Sequence, residues 1–261
     1  MDKGKRLHQL CFLFLLMFVT INQVRAQEQV EKMETDRPDQ TEASTVVPKG
    51  ILQIEAGYLF QKNRQNNIEY KTHAYPAALF RVGLLGRVEL RVQSALKDSV
   101  IENSIRRKLK GLGPLSVGTK VKLWEEQGFR PEAALLLMVA LPVGNSAFRP
   151  DKAEPQFRLA LKNSLTETLD INYNLAYSWV EGNHEPAYSI NLNNEFSDKF
   201  SVFIEAFGSK EEGEKAEHQA DAGVLFFPLP NLQFNAAVGF SLYKAAPDYF
   251  ITTGLAVRLP R

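Results

Sequence analysis

The residues of this sequence that could do chemistry are charged side chains that recur at every second position within short apolar runs. A run of this kind points its charges to one side and its apolar side chains to the other. Charges gathered on one face can guide a charged or dipolar solute, or they can pair and stabilise the fold. The charged positions are Glu55, Arg81, Glu89, Arg91, Lys120, Lys122, Arg158, Lys162, Glu205, Asp221 and Arg258.

Two pairs stand out among these charges. If the loop between their runs is symmetric, Glu205 and Asp221 lie directly opposite and repel. One of them would then hold a proton or recruit a cation, unless a Lys or Arg from another strand reaches them. Arg81 and Glu89 flank the turn "VGLLG" and are expected to form a structural ion pair.

The bases and the acids are predicted to face each other across an interior. The bases from Arg91 to Lys162 belong to one part of the chain, and Glu205 and Asp221 belong to another. Such a split would set up a field across a pore and favour polar or dipolar solutes. The alternative is that these charges pair in cross-strand networks that fill the interior.

Signatures of catalysis are not found in the sequence, which has no G-x-S-x-G, H-E-x-x-H or glycine-rich phosphate loop. Alternation places His73 on the charged face, His184 in a loop, and His218 on the apolar face without a Ser at matching spacing. We therefore predict no enzyme, no catalytic residue, no metal site and no cofactor. A lipid-modifying enzyme that uses His218 is the less favoured alternative.

Twelve segments with a period of two must position these side chains. They lie near 51–61, 69–82, 87–97, 115–124, 131–142, 156–165, 169–180, 187–196, 200–208, 218–227, 232–243 and 249–259. Short connections alternate with longer, polar ones, as in barrels of the bacterial outer membrane. We predict an all-β fold, a closed antiparallel up-and-down transmembrane β-barrel of about 12 strands over residues 50–261, with both of its ends on the short-turn, periplasmic side.

A soluble β-sandwich or a lipocalin-like barrel also alternates and is the competing all-β fold. Either fold would bury the charged face in a dry core, which is costly unless every charge is paired. A water-filled interior removes that cost. Five aromatic residues fall on the same inward face by alternation and could line an apolar solute path or fill the interior: Tyr75, Phe203, Phe207, Phe227 and Tyr243.

Residues 1–26 predict a secretory signal peptide. Lys3, Lys5 and Arg6 precede an apolar run, and Ala26 precedes the expected cut. The lone cysteine, Cys11, falls inside this signal. The 31 Lys and Arg residues nearly balance the 30 Asp and Glu residues, which argues against nucleic acid as a partner.

The stretch "METDRPDQTEASTVVPKG" at 33–50 holds four acids and two prolines directly before the first predicted strand. Its prolines and acids exclude a strand or a long helix. We predict that residues 27–49 form a periplasmic segment, either a linker or a plug whose acids meet Lys120, Lys122 or Arg91. The plug candidates are Glu34, Asp36, Arg37, Asp39 and Glu42.

Several stretches together resemble one known family. They are "ETDRPDQTEASTVVPKGILQIEAGYLF", "LFRVGLLGRVELRVQS", "GLGPLSVGTKVKL", "PEAALLLMVALPVG" and "FSVFIEAFG". They look like the family labelled putative MetA-pathway of phenol degradation. The resemblance implies an outer-membrane β-barrel that moves small, aromatic or hydrophobic compounds. The chain departs from the usual outer-membrane pattern at its end, "AVRLPR", where an aromatic residue is common.

These observations predict a barrel in the bacterial outer membrane that lets small molecules pass. The expected partners are outer-membrane lipid, a small-molecule solute and the outer-membrane assembly machinery, and the oligomeric state is left open. The alternative is a closed barrel with a structural or surface-interaction role and no transport.

Overall fold

Thirteen β-strands make up the regular structure of residues 32–65, 68–102, 106–243 and 245–259, which are the residues that the computed structural model describes. The strands are β1 (Leu52–Gln65), β2 (Ile68–Leu85), β3 (Val88–Glu102), β4 (Arg106–Leu112), β5 (Leu115–Trp124), β6 (Glu132–Leu141), β7 (Glu154–Ser164), β8 (Leu169–Val180), β9 (Asn183–Ser197), β10 (Phe200–Ser209), β11 (Glu217–Leu229), β12 (Leu232–Ser241) and β13 (Tyr249–Leu259). No helix within these residues is long and apolar enough to cross a membrane. The predicted signal peptide lies outside the described residues.

The sheet closes on itself because β1 pairs with β13 and β2 pairs with both β1 and β3. The first part of β3 pairs with β5, and its second part pairs with β4. Twelve strands therefore form the wall, which confirms the predicted closed antiparallel barrel. β4 extends the β3 hairpin beyond the wall, in a stretch that we expected to be a loop because its bases interrupt the apolar alternation.

The two faces of the wall differ as the alternation predicts. In β12, Gln233 and Asn235 are buried, whereas Phe234 and Val238 are 45% and 53% exposed. The same alternation repeats around the wall, so an apolar outer surface encloses a polar interior. This arrangement is typical of a membrane barrel and excludes a sandwich with an apolar core.

The two ends of the barrel also differ. The β2–β3, β9–β10 and β11–β12 connections are tight turns at one end, where β1 begins and β13 ends. We call this the short-turn end. The β6–β7, β10–β11 and β12–β13 connections and the β3–β4 hairpin lie at the opposite end, the long-loop end. β1, β2 and β9 reach 14, 18 and 15 residues and extend into stretches that we expected to be loops.

Because β2 contains a bulge, two of its side chains lie on the face opposite to the predicted one. The register with β3 shifts between Ala74 and Ala77, so the part of β2 that precedes the bulge has its two faces exchanged relative to the prediction. His73 accordingly contacts Tyr58 on the outer face, at 2.7 Å from the hydroxyl to Nδ1. Tyr75 is on the same face, 6.4 Å from the Tyr58 ring. Both were predicted to point inward, and strict alternation could not reveal the bulge.

Candidate functional site

Residues 33–49, which we call the N-terminal segment, run through the inside of the barrel. The Met33 amide donates to the Pro230 carbonyl at 3.0 Å, in the β11–β12 turn. The Gly50 amide donates to the Gly83 carbonyl at 2.6 Å, close to the β2–β3 turn. The segment therefore enters and leaves at the short-turn end, and its middle residues contact inward-facing side chains of the wall.

Asp36 lies at the centre of the densest charge cluster in the described interior. Its Oδ2 atom lies 2.9 Å from Nη1 of Arg81, 2.6 Å from Nη1 of Arg91 and 3.1 Å from Nζ of Lys120. Burial alone would raise the pKa of the Asp36 carboxyl. The three positive charges outweigh burial and hold that pKa well below its usual range.

Two wall carboxylates complete the Asp36 cluster and bind the segment's backbone. Glu55 and Glu89 form ion pairs with Arg81 at 3.0 and 2.9 Å. The predicted Arg81–Glu89 pair is thereby confirmed. The Asp36 amide donates to Glu55 at 3.0 Å, and the Val47 amide donates to Glu89 at 2.7 Å. Every charge of the cluster has an opposite partner, as a buried network requires.

The other acids of the segment bind further bases on the wall. Glu42 contacts Arg91 at 2.8 Å and Lys120 at 3.4 Å. Glu34 contacts Lys162 at 3.3 Å. The segment's carboxylates thus pair with one base on each of the strands β3, β5 and β7.

Arg37 fits a groove that two glycines leave open. Gly57 of β1 pairs with Gly254 of β13, and a methyl group at Gly57 would overlap the guanidinium of Arg37. The same guanidinium donates to the Thr252 hydroxyl at 2.7 Å. A side chain at position 57 would therefore displace Arg37 and would also overlap the Thr253 carbonyl oxygen of β13.

The tip of the segment contacts β9 and β10. The Gln40 amide donates to Glu205 at 2.8 Å, and the Thr41 hydroxyl donates to Glu205 and lies 2.8 Å from the Ser189 hydroxyl. Asp39 accepts from the Asn191 amide group at 2.8 Å. The segment therefore bridges opposite sides of the wall.

Three carboxyl groups meet near the tip. The register pairs Glu205 with Asp221, as the symmetric-loop argument predicts. Burial, followed by the nearby Glu205 and Asp221 carboxyls, raises the pKa of Asp39 well above its usual range. Neither carboxylate oxygen of Asp221 accepts a hydrogen bond within the described residues. The same residues include no group of three or more His, Cys, Asp or Glu side chains arranged to hold a metal ion.

The remaining predicted positions also lie on the inner face, with other partners. Lys122 pairs with Glu125 and, at 2.8 Å, with Glu132. Of the three bases named as alternative partners of the segment's acids, Arg91 and Lys120 therefore contact them and Lys122 does not. Lys122 lies near the end of β5 that faces the short turns, where these wall carboxylates reach it first. Arg158 donates to the Gln40 carbonyl at 2.6 Å, and Arg258 donates to Gln53 at 3.1 Å.

Sequence reasoning missed the neutral side chains that hold the segment. The Glu42 amide donates to Asn174 at 2.8 Å, and the Asn174 amide group donates back to the Glu42 carbonyl at 3.1 Å. The Ser44 hydroxyl donates to Glu132 at 2.6 Å. Alternation places Asn174 on the polar face of its strand, but an uncharged residue does not reveal its partner.

A cavity leads from the long-loop end to the tip of the segment. Its inner part, about 240 Å³, is lined by Gln40 of the segment and by Arg158 of the wall. Its outer part, about 1240 Å³, opens among the long loops. Glu185, Ser209 and Glu217 line both parts. The path from the long-loop end therefore ends on the N-terminal segment.

A closed twelve-stranded barrel with an apolar outer face and a charged interior defines an integral membrane barrel of the outer-membrane type. The chain belongs to the family described as "Putative MetA-pathway of phenol degradation", whose model matches residues 35–259. The match includes most of the N-terminal segment. No curated protein matches the sequence.

Solved structures with a similar fold are outer-membrane barrels. The COG4313 outer membrane channel from Pseudomonas putida F1 has a TM-score of 0.63 at 13% identity and covers 87% of this chain and 100% of its own. The translocator domain of the autotransporter NalP from Neisseria meningitidis has a TM-score of 0.56 at 13% identity. The match covers 82% of this chain and 90% of the translocator domain. The KdgM porin, solved with disordered oligogalacturonate, has a TM-score of 0.55 at 10% identity. The match covers 80% of this chain and 99% of the porin chain. At these identities the likeness concerns the fold.

Proposed function

We propose that this barrel carries small molecules across the bacterial outer membrane and that its N-terminal segment is a plug that must move for passage. The observation that carries the proposal is the ion-pair cluster of Asp36 with Arg81, Arg91 and Lys120, which holds the segment across the interior. The cavity that ends on Gln40 supports the same function, because a solute from the long-loop end would meet the segment there.

Removing the plug tests this proposal through both conductance and ion selectivity. Deletion of residues 27–48 takes away Glu34, Asp36 and Glu42 and leaves Arg91 and Lys120 facing an open lumen. We expect a larger single-channel conductance in planar bilayers and a shift of the reversal potential towards anions. If neither the full chain nor the deletion variant passes current or solute, transport is excluded.

The solute that the interior suits best is polar or dipolar. The cavity is lined by the side chains of Gln156, Asn174 and Ser178 together with the charged Arg158 and Glu185. Hydroxyl, amide and charged groups bind polar solutes. Phe207 also lines this cavity, and it supports an aromatic solute together with the family description. Liposome swelling with a neutral sugar, a zwitterionic amino acid and a phenol of similar size separates the two classes.

A closed barrel with a structural role is the competing function, and the density of bonds to the segment favours it. Such a barrel would pass no solute with the segment in place, and its segment would not move. The barrel would be exported by a signal peptide at residues 1–26 and inserted by the outer-membrane assembly machinery, with outer-membrane lipid around it. No step of the proposed function uses an enzyme activity or a cofactor.

A further inference from the structure

The β4 strand places an unusual density of positive charge at the long-loop end. Arg106, Arg107, Lys108 and Lys110 fall within its seven residues, and all four are exposed. β4 pairs with the second part of β3, beyond the point at which β3 joins β5. The strand therefore carries its charges past the rim of the wall.

Neighbouring strands align further bases with those of β4. The register joins Lys62 of β1 to Lys71 of β2, Lys71 to Val100 of β3, and Val100 to Lys108 of β4. Residues joined in this way share one face of a sheet. Three lysines therefore form a row across four strands.

The lysine row lies on the outer face of the barrel. Lys110, two residues from Lys108 on the same face, has its Nζ atom 6.0 Å from the centre of the Tyr75 ring. Tyr75 is on the outer face beside Tyr58. We call the set of bases on this face the basic face: Lys62, Arg64, Lys71, Arg106, Lys108 and Lys110.

Carboxylates on this face are too few to neutralise the bases. Glu69 contacts Lys62, Arg64 and Lys71 together, at 2.9, 2.7 and 2.6 Å. Glu102 contacts Lys71 at 3.0 Å and Arg106 at 3.3 Å. With Asp98, three carboxylates face six bases. Lys108 forms no ion pair within the described residues.

The basic face begins where the apolar outer surface ends. Leu96 and Leu112 pair across β3 and β4 and are 46% and 43% exposed. Lys110 follows Leu112 on the same face, about 7 Å further out at the usual rise of a strand. In a membrane barrel this level is that of the lipid headgroups.

We propose that the basic face binds the phosphate groups of the phosphorylated glycolipid in the outer leaflet of the outer membrane. Lys and Arg bind phosphate oxygens through short, charge-assisted hydrogen bonds. A row of bases across four strands matches a headgroup with more than one phosphate, and the apolar surface below it accommodates the acyl chains. The proposal rests on the outward orientation of the long-loop end and does not depend on transport.

Binding of bis-phosphorylated lipid A to the purified full-length barrel in nanodiscs tests the proposal, with dephosphorylated lipid A, phosphatidylglycerol and inorganic phosphate as comparison probes. We expect the bis-phosphorylated form to bind at least about tenfold more tightly than the other three. The double variant Lys108→Ala/Lys110→Ala should lose about tenfold of that affinity, because each base near a charged membrane surface contributes measurably.

Two controls separate phosphate recognition from general charge and from misfolding. Lys108→Arg/Lys110→Arg keeps the charge and should retain binding. Lys210→Ser/Lys215→Ser removes two exposed bases from the β10–β11 loop at the same end and should leave binding unchanged. Equal affinity for dephosphorylated lipid A, or an equal loss in the Lys210/Lys215 variant, would overturn the proposal. An unchanged heat-modifiability shift on electrophoresis verifies that each barrel is folded.

Discussion

At the scale of single residues, Asp36 connects the segment to the wall. Its carboxylate contacts three bases from β2, β3 and β5, and its backbone amide binds Glu55 of β1. A buried charge network of this kind is stable while it is complete and costly once one partner is removed. Asp36 is therefore the residue whose loss should affect the segment most.

Asp36→Asn should destabilise the barrel by about 3–5 kcal/mol, because it leaves buried bases without their shared carboxylate. The midpoint of urea-induced unfolding in detergent micelles measures this loss of stability. Asp151→Asn removes an exposed carboxylate in the β6–β7 loop and serves as the matched control. If the Asp36→Asn and Asp151→Asn variants unfold at the same urea concentration, Asp36 has no central role.

The Asp39 carboxyl should make stability depend on pH in the opposite direction to Asp36. Its pKa in the folded chain is raised above the ordinary 3.8, so its contribution is present below about pH 4 and is lost as the pH rises through the folded value. Asp39→Asn keeps the Asn191 contact and cannot ionise. We expect its unfolding midpoint to exceed that of the wild type at pH 8 and to approach it at pH 3.5. A constant difference across this range would show that ionisation is not the cause.

The groove under Arg37 provides a test by steric displacement. Gly57→Ala would overlap both the guanidinium of Arg37 and the Thr253 carbonyl oxygen of β13. We expect it to push the guanidinium away from Thr252, loosen the segment and raise the frequency of channel opening in planar bilayers, with an unchanged heat-modifiability shift verifying that the β1–β13 seam still closes. Gly86→Ala, in the β2–β3 turn with open space around it, is the control. Identical opening frequencies in the two variants would argue against a part for Arg37 in holding the segment.

At the scale of elements, the N-terminal segment spans the interior without regular structure of its own. Its backbone hydrogen bonds depend on side chains from β1, β2, β3, β5, β7, β8 and β10, because neither a helix nor a strand satisfies its backbone. Its shape is therefore set by the wall.

A disulfide at the tip tests whether the segment moves. The Thr41 and Ser189 hydroxyls lie 2.8 Å apart, and Cys11 is the only cysteine of the sequence. Thr41→Cys/Ser189→Cys should form a disulfide under oxidation, abolish channel opening and regain it on reduction. The two single variants should open in both states. Opening of the oxidised double variant would rule out the segment as a gate.

Alternation along the chain was enough to predict the barrel, its twelve wall strands and the inward side of the charged residues. It could not predict β4, whose bases hide the period of two, or the bulge that turns His73 and Tyr75 outward. The site was predictable only in part. The charges of Asp36 and Lys120 suggested a contact, but the Asn174 and Ser189 contacts depend on tertiary geometry that composition does not encode.

At the scale of the whole molecule, the segment leaves the charge of the interior uneven. Its acids pair with Arg91, Lys120 and Lys162. Glu185 and Glu217 line the cavity together with a single base of the wall, Arg158. Neither of these glutamates forms an ion pair in the described part of the chain. The intact barrel should therefore attract cations from the long-loop end.

Replacing the two glutamates of the cavity by neutral residues should reduce the preference for cations. Glu185→Gln/Glu217→Gln should shift the reversal potential in a salt gradient towards zero, and the shift should shrink at high ionic strength because the charges are screened. Glu167→Gln, an exposed position in the β7–β8 turn, removes a similar charge outside the cavity. An equal shift in the Glu167 variant would point to surface charge in general.

The entry and exit of the segment at one end have a mechanical consequence. A pull on the chain ahead of Met33 from the periplasm would load the bonds of Met33, Glu34 and Asp36 one after another, as in unzipping, and would not shear them all at once. The force needed at any moment is then that of one residue's contacts, and it is largest at Asp36. Because the segment continues into β1 at Gly50, it would hang as a tether below the barrel and could return to the same place.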